Sequence, residues 1–524
     1  KEHIIYLADD DLAGRETGTE GEDMAALYIT RQFTETGLKP AGPDNDWLQD
    51  FEYLDSRYAT EKCALKVSKS EFKLNETLFP FPASANGEFS GEAVYVGFGI
   101  HAPDLKHDDY KGKDVKGKVV VIDRGSPDKD NPHGKFAQHA AIGLKAEVAQ
   151  KMGAMAVIFV NPEKMEMDAP TLRFSRRVSR SEVPMMWLKG EMAKNLDGKM
   201  VTGNVEIADD RRTGHNVIGL LDHGAEMTVV FGAHYDHLGM GEEGSLHRGE
   251  KAIHNGADDN ASGVAMIIEL ANELKKDEYK RYNYLFIAFS GEEKGLLGSN
   301  FYCKNPTIDL KKVNCMLNFD MVGRLDPAKN TLGINATGTS PFWEEKLPGI
   351  QIDDMKIKTS KSGVGPSDHT SFYLKDIPVL HFFSGTHGDY HKPSDDAELI
   401  NYDGMSKIYR FVVDLTGKIS ATEQLTFTKT KNEDNQSAPR WKVTLGVVPD
   451  YLFDGEGMRI DGVTDGRPAS KAGMKAGDVV VKMGAHEVKD MMGYMRALSK
   501  FDKGDKVKVY IMRDGEKLKK KVKF

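Results

Sequence analysis

Thr228-Val229-Val230-Phe231-Gly232-Ala233 is a short apolar run that ends abruptly in His234-Tyr235-Asp236-His237. A run without polar alternation suits a strand covered on both faces, the condition of strands in a parallel sheet. The pattern recurs downstream. Tyr284 to Phe289 precedes Ser290-Gly291-Glu292-Glu293, Met316 to Phe319 ends at Asp320, and Val379 to Phe383 leads into a loop holding His387 and His391. Helical stretches fall between and after these strands, at Ala261 to Leu274, Leu296 to Cys303 and Gly404 to Leu415. The alternation predicts an α/β fold from Asn216 to Gly417, a largely parallel mixed sheet flanked by helices. Open parallel sheets bind ligands beyond the carboxyl ends of their strands, so these imidazoles and carboxylates should converge on one rim.

That mixture of residue types has a chemistry. Imidazole nitrogen and carboxylate oxygen without thiolate suit Zn²⁺ or a similar divalent ion, and the number of carboxylates allows two. A bridging carboxylate can hold two ions about 3.5 to 4 Å apart, the spacing that clamps a hydrolytic transition state. The segment Gly256-Ala257-Asp258-Asp259-Asn260-Ala261-Ser262-Gly263 opens directly into a helix. A single Asp there would ordinarily be an N-cap, and a lone strand-end His a hydrogen-bonded structural residue. Five such features on one edge point to a metal site.

Composition narrows the function class. The 524 residues are 40% hydrophobic and 29% charged, the values of a folded protein, and Lys+Arg 71 against Asp+Glu 80 leaves a net charge of −9. With no long basic run before the last few residues, nucleic acid is not an expected partner. No stretch approaches the roughly 18 to 20 apolar residues of a membrane span, and Lys1 to Asp11 lacks a signal-peptide core. Cys63, Cys303 and Cys315 form neither a CxxC nor a disulfide framework.

The chain divides by texture. Glu20 to Glu35 reads as a helix with Ala25, Ala26, Tyr28, Ile29 and Phe33 near one face, stopping at Gly37. Residues 1–86 are taken as the first part of the main domain and 87–206 as an inserted α+β domain. The insert has strands at Ala93 to Phe98, Val119 to Ile122 and Ala156 to Val160 around a helix from Ala137 to Met152. Its segment with Arg173, Arg176, Arg177 and Arg180 reads as a solvated loop. Residues 207–420 complete the main domain, 421–440 are a polar linker and 441–524 a last domain.

GAHYDH, GADDNASG, SGEEKGLLGS, NFDMVG, SDHTSF and YHKPSDD together resemble the zinc aminopeptidase family that includes aminopeptidase Y and is similar to glutamate carboxypeptidase II and the transferrin receptor. LADDDLAGRETGTEGEDMAALYI is similar to that family's opening helix, and residues 87 to 203 resemble the protease-associated domain often inserted there. The resemblance implies two Zn²⁺ per chain. His234, Asp259 and Asp320 would hold one ion, and Asp259, Glu293 and His391 the other. It implies Glu292 as the general base for the attacking water, with Asp236 orienting His234. Asp258, Asp368 and Asp395 are read as supporting residues, and His237, His254 and His387 as non-ligands. The family's aminopeptidases often place an oxyanion-stabilising Tyr where this chain has Val364. Tyr390 matches the tyrosine that glutamate carboxypeptidase II uses for the same purpose.

Gly457-Met458-Arg459-Ile460, Pro468 to Val480 and a helix near Asp490 to Leu498 resemble a PDZ domain, which implies a C-terminal peptide ligand at a carboxylate-binding turn. The expected activity is hydrolysis of N-terminal residues from peptide substrates. Alternatives are a carboxypeptidase reading acidic peptides through Arg173, Arg176 and Arg177, a glutaminyl cyclase-like transferase using one zinc, and an inactive receptor-like module. The accessory domains favour a periplasmic or extracellular location.

Overall fold

The computed structural model describes residues 1–68, 70–128, 134–162, 180–189, 195–430, 443–449, 456–463, 466–489, 491–498 and 500–524. They form two compact units, one of residues Lys1–Glu52 with Thr213–Phe524 and one of Tyr53–Arg212.

In the first unit the chain builds helix α1 (Glu20–Glu35), the part from Thr213 onward of β1 (Ile207–Leu221), β2 (Thr228–His234), α2 (Gly263–Glu273), β3 (Asn283–Phe289), α3 (Leu297–Lys304) and β4 (Val313–Phe319). It continues through β5 (Thr331–Asn335), β6 (Lys356–Thr359), α4 (His369–Tyr373), β7 (Val379–Phe383) and α5 (Tyr402–Ser420). The sheet runs in the order β1-β3-β2-β4-β7-β5-β6. Its centre, β3-β2-β4-β7, is parallel, while β1 and β5 join antiparallel. Every residue of β2 and β4 is buried, as the uninterrupted apolar runs require. α1 has the limits read from sequence, and Ala25, Ala26, Ile29 and Phe33 lie in the core. α5 is capped by Asn401, whose Oδ1 accepts from the Gly404 amide at 2.9 Å. It buries Ile408, Phe411, Val412, Leu415 and Ile419, a stripe at helical spacing. At the start of α2 the chain comes very close to β4, and a Cβ at Gly263 would stand 2.5 Å from the Phe319 carbonyl oxygen. No side chain fits there.

The same unit carries the C-terminal domain, with strands Val447–Pro449, Met458–Val463, Val479–Met483, Lys506–Arg513 and Glu516–Lys523 and helix Met491–Leu498 around Ile460, Val480, Met483, Tyr494, Val509 and Ile511. Asp490, the expected start of that helix, lies outside the described residues.

In the second unit, strands Gly87–Tyr95, Val119–Asp123, Ala156–Val160 and Met185–Leu188 lie parallel in an eight-stranded sheet. Ala64–Val67, Ser70–Phe72 and Leu78–Pro80 pair in this sheet, although the sequence reading groups them with residues 1–86 of the main domain. Ser70–Phe72 pairs with its neighbour Ala64–Val67, but Ala64–Val67 and Leu78–Pro80 also have partners far along the chain, at Asn204 to Val201 and Met186 to Leu188, and local pattern does not reveal such pairing. The expected strand to Phe98 stops at Tyr95, ahead of Gly97 and Gly99, both at positive φ. The expected helix from Ala137 is a single 3₁₀ turn and then a helix at Ile142–Lys151, parted by extended Ala141. Arg173, Arg176 and Arg177 lie outside the described residues, as does half of the expected linker, from 431 to 440. All three cysteines are free and buried. Among the described residues no helix is long and apolar enough to cross a membrane.

Candidate metal centre

β2 delivers His234 to the sheet rim with 1% of its surface exposed. Its Nδ1 donates to the Asp236 carbonyl oxygen at 3.1 Å, which fixes the tautomer and turns Nε2 inward. There Nε2 meets Asp259 Oδ1 at 3.3 Å and Asp320 Oδ1 at 3.5 Å. The loop after β7 treats His391 in the same way. Its Nδ1 donates to the Gly244 carbonyl oxygen at 3.1 Å, and its Nε2 lies 3.2 Å from both Asp259 Oδ2 and Glu293 Oε1. Asp259 thus presents one oxygen to each imidazole. These are the five residues the sequence proposes as ligands, and the fold brings them together. His237 lies here too, with Nδ1 2.9 Å from Glu293 Oε1 and 4.0 Å from Asp259 Oδ2.

A layer of hydrogen bonds holds these groups in place. Asp236 orients His234 through its main chain, while its carboxylate accepts from the amides of Glu292 and Glu293 at 3.1 and 3.3 Å and from Thr17 Oγ1 at 3.1 Å. It therefore anchors the Glu292-Glu293 loop. Asp395 accepts from the amides of Asp258 and Asp259, and Asp258 accepts from Gly323 N at 2.6 Å and faces His387 Nε2 at 3.1 Å. Asp258 and Asp395 thus hold main-chain amides around the cluster. His254 is turned away, its Nε2 paired with Ser245 Oγ at 2.7 Å.

Two contributors escaped the sequence reading. Asn260 clamps the residues on either side of Asp320, donating to Phe319 O at 2.8 Å and accepting from Met321 N at 3.1 Å. Arg15 is completely buried and donates to the carbonyls of Leu7, Tyr235, Asn255 and Gly256. Burial lowers its pKa to about 10 against the pull of Asp236, Asp259, Asp395 and Glu293. It is a fixed cation behind the carboxylates. The only signal for it was its place in the LADDDLAGRETGTEGEDMAALYI segment.

The electrostatics test whether a metal fits. Carboxylates far outnumber the cations among these side chains, and buried charge needs a partner. Burial holds the Glu292 carboxyl well above its usual range, with Asp320, Glu293 and Asp368 adding to the shift and His234 opposing it. Burial likewise lifts Asp368 to about 7 and, with Asp258 adding, Asp395 to about 6. For His234, burial favours the neutral ring, yet Asp236, Asp259 and Asp320 raise its pKa well above the ordinary value. The Tyr390 phenol is pushed up by burial and then by Asp259, Glu293, Glu292 and Asp320, so it keeps its proton and can donate it. Its ring stacks on His391, centroids 3.9 Å apart. Excess negative charge, inward Nε2 atoms and donor atoms grouped as His234-Asp259-Asp320 and His237-Asp259-Glu293 fit a divalent cation of the nitrogen- and oxygen-preferring kind.

Residues 216–416 match the family model described as peptidase family M28. The chain carries an M28 peptidase domain. Residues 89–196 match the PA domain model and 426–524 the PDZ domain model. Over 308 residues the chain is 27% identical to a probable leucine aminopeptidase of Arthroderma otae, covering 56% of this chain and 78% of that protein. It is 28% identical to aminopeptidase YwaD of Bacillus subtilis over 369 residues, 65% of this chain and 72% of the relative. Among solved structures it is similar to BSAP, a zinc aminopeptidase from Bacillus subtilis, at 23% identity and a TM-score of 0.44, covering 82% of this chain and 96% of that one. The M28 match spans both imidazoles and all three proposed carboxylate ligands.

Proposed function

We propose that the M28 domain is a two-zinc aminopeptidase that hydrolyses N-terminal residues from peptides. The observation that carries this reading is Asp259, whose Oδ1 faces His234 at 3.3 Å and whose Oδ2 faces His391 at 3.2 Å. His234, Asp259 and Asp320 would hold one zinc, and Asp259, Glu293 and His391 the other. When bound, zinc supplies Lewis acidity to the scissile carbonyl and makes water more acidic. Glu292, next to a ligand and among Asp320, Glu293 and Asp368, has the raised proton affinity of a general base. It takes a proton from the attacking water and returns it to the departing amine. Tyr390 donates its phenolic hydrogen to the oxyanion. Asp236 keeps base and ligand in register by gripping both amides. The PDZ domain would take a peptide C-terminus, and export to a periplasm or cell exterior suits this combination of domains.

Elemental analysis of the full chain should find about two zinc ions, and peptides with a free amino terminus should be cleaved while N-acetylated versions are not. The physical basis is a substrate ammonium held beside the carboxylates, whose loss leaves buried charge unpaired. Release of C-terminal residues from N-acetylated peptides would refute the aminopeptidase reading.

A further inference from the structure

The ion pocket on the His391 side contains a buried imidazole with no other task. His237 follows His234 by three residues and is 1% exposed. His234 and His391 each spend Nδ1 on a main-chain carbonyl, but neither ring nitrogen of His237 has a hydrogen-bond partner, and neither does Glu293 Oε1. His237 Nδ1 is nevertheless 2.9 Å from that oxygen. Two buried polar atoms this close and not aligned as donor and acceptor are left unsatisfied. A cation placed between them satisfies both. The ring's position is imposed from behind, because Gly256 has φ +57 and a Cβ there would stand 2.6 Å from His237 Cγ and Cδ2. The His237 amide also donates to the Arg15 carbonyl oxygen at 3.2 Å. The two imidazoles meet edge to face, centroids 5.7 Å apart.

We propose that His237 Nδ1 is a ligand of the ion held by Asp259, Glu293 and His391, an inference that rests on the two-zinc reading and extends it. The two pockets are then unequal. The one at His234 offers one imidazole with Asp259 and Asp320, and the other offers two imidazoles with Asp259 and Glu293. Added nitrogen donation favours zinc over magnesium, calcium or manganese, so the His391 pocket is the tighter and loads first.

The test uses the full chain stripped with a chelator and reloaded with zinc. X-ray absorption at the zinc edge should count about 1.5 imidazoles per zinc in the two-zinc wild type, against about 1 if only His234 and His391 bind. His237→Ala should bring the count to about 1 and weaken the tighter ion by more than about 100-fold in chelator competition, beyond the loss typical of an outer hydrogen-bonding residue. Free imidazole should restore affinity to this variant, whereas His237→Gln should not restore it. A wild-type count of about 1, or recovery with Gln alone, would overturn the proposal and leave His237 as a positioning residue for Glu293. If the Ala variant does not fold, the wild-type count and the Gln variant decide. Wild-type protein that binds fewer than two zinc ions would instead refute the two-zinc reading itself.

Discussion

Both units end a set of parallel strands in polar residues, and only the rim of the first crowds several carboxylates together among the described residues. In the second unit, Tyr95 at the end of one strand donates to Asp123 Oδ2 at the end of the next at 2.5 Å. Arg124 and Trp187 both donate to Asn161 Oδ1, at 2.9 and 3.1 Å, and buried Lys145 donates to the carbonyls of Asp123 at 2.9 Å and Gly125. Donors and acceptors there satisfy one another within the protein. At the rim of the M28 domain, Asp259, Asp320, Glu292 and Glu293 crowd around imidazoles whose Nε2 atoms are turned inward. Polar residues at strand ends are therefore a weak sign of function. A surplus of one charge that the protein itself does not neutralise is the stronger sign, because it requires something from outside.

Four substitutions probe that contrast. Asp259→Asn should be the most damaging, since a neutral amide cannot bridge two cations. Zinc content should fall at both positions and peptidase activity to background, and a variant retaining two zinc ions with full turnover would mean that the surplus charge has another purpose. Glu292→Gln should lower kcat by about 10²- to 10⁴-fold, the range for loss of a general base, with zinc content unchanged. Glu293→Gln should lose zinc instead, and the reverse pair of phenotypes would exchange the roles of these neighbours. The smallest effect belongs to the self-satisfied rim. Lys145→Met strands two buried carbonyls and should cost about 1 to 3 kcal/mol, seen as earlier melting of the second unit, with zinc content intact. Loss of zinc in that variant would show that the two rims are not independent.

The contrast also explains what sequence could reveal. His234, Glu293, Asp320 and His391 follow apolar runs, and Asp259 lies just before a helix, so pattern alone places them on one rim. Arg15 and Asn260 have no such flag. A lone arginine in a polar turn gives no hint that four carbonyls await it, and the clamp that Asn260 forms around Asp320 depends on contacts some sixty positions along the chain. His237 reads as a bystander because one His and one Asp already explain the HYDH segment, and only the distance to Glu293 makes it more. The pairings of Ala64–Val67 and Leu78–Pro80 are hidden for a related reason, since sheet partners more than a hundred residues apart leave no local periodicity.

Arg15 also sets an order of events during synthesis. Three of its acceptors, Tyr235, Asn255 and Gly256, lie 220, 240 and 241 positions beyond it. The opening segment therefore leaves the ribosome long before its partners exist, and the whole of Tyr53–Arg212 is made in the interval. A closure over so many residues is slow, and His391 emerges later still. The inserted unit can fold while the nascent chain waits, but the candidate metal centre cannot. Newly made protein should thus pass through a stage with a finished insert and no metal affinity, which lasts until translation has gone well beyond Glu293.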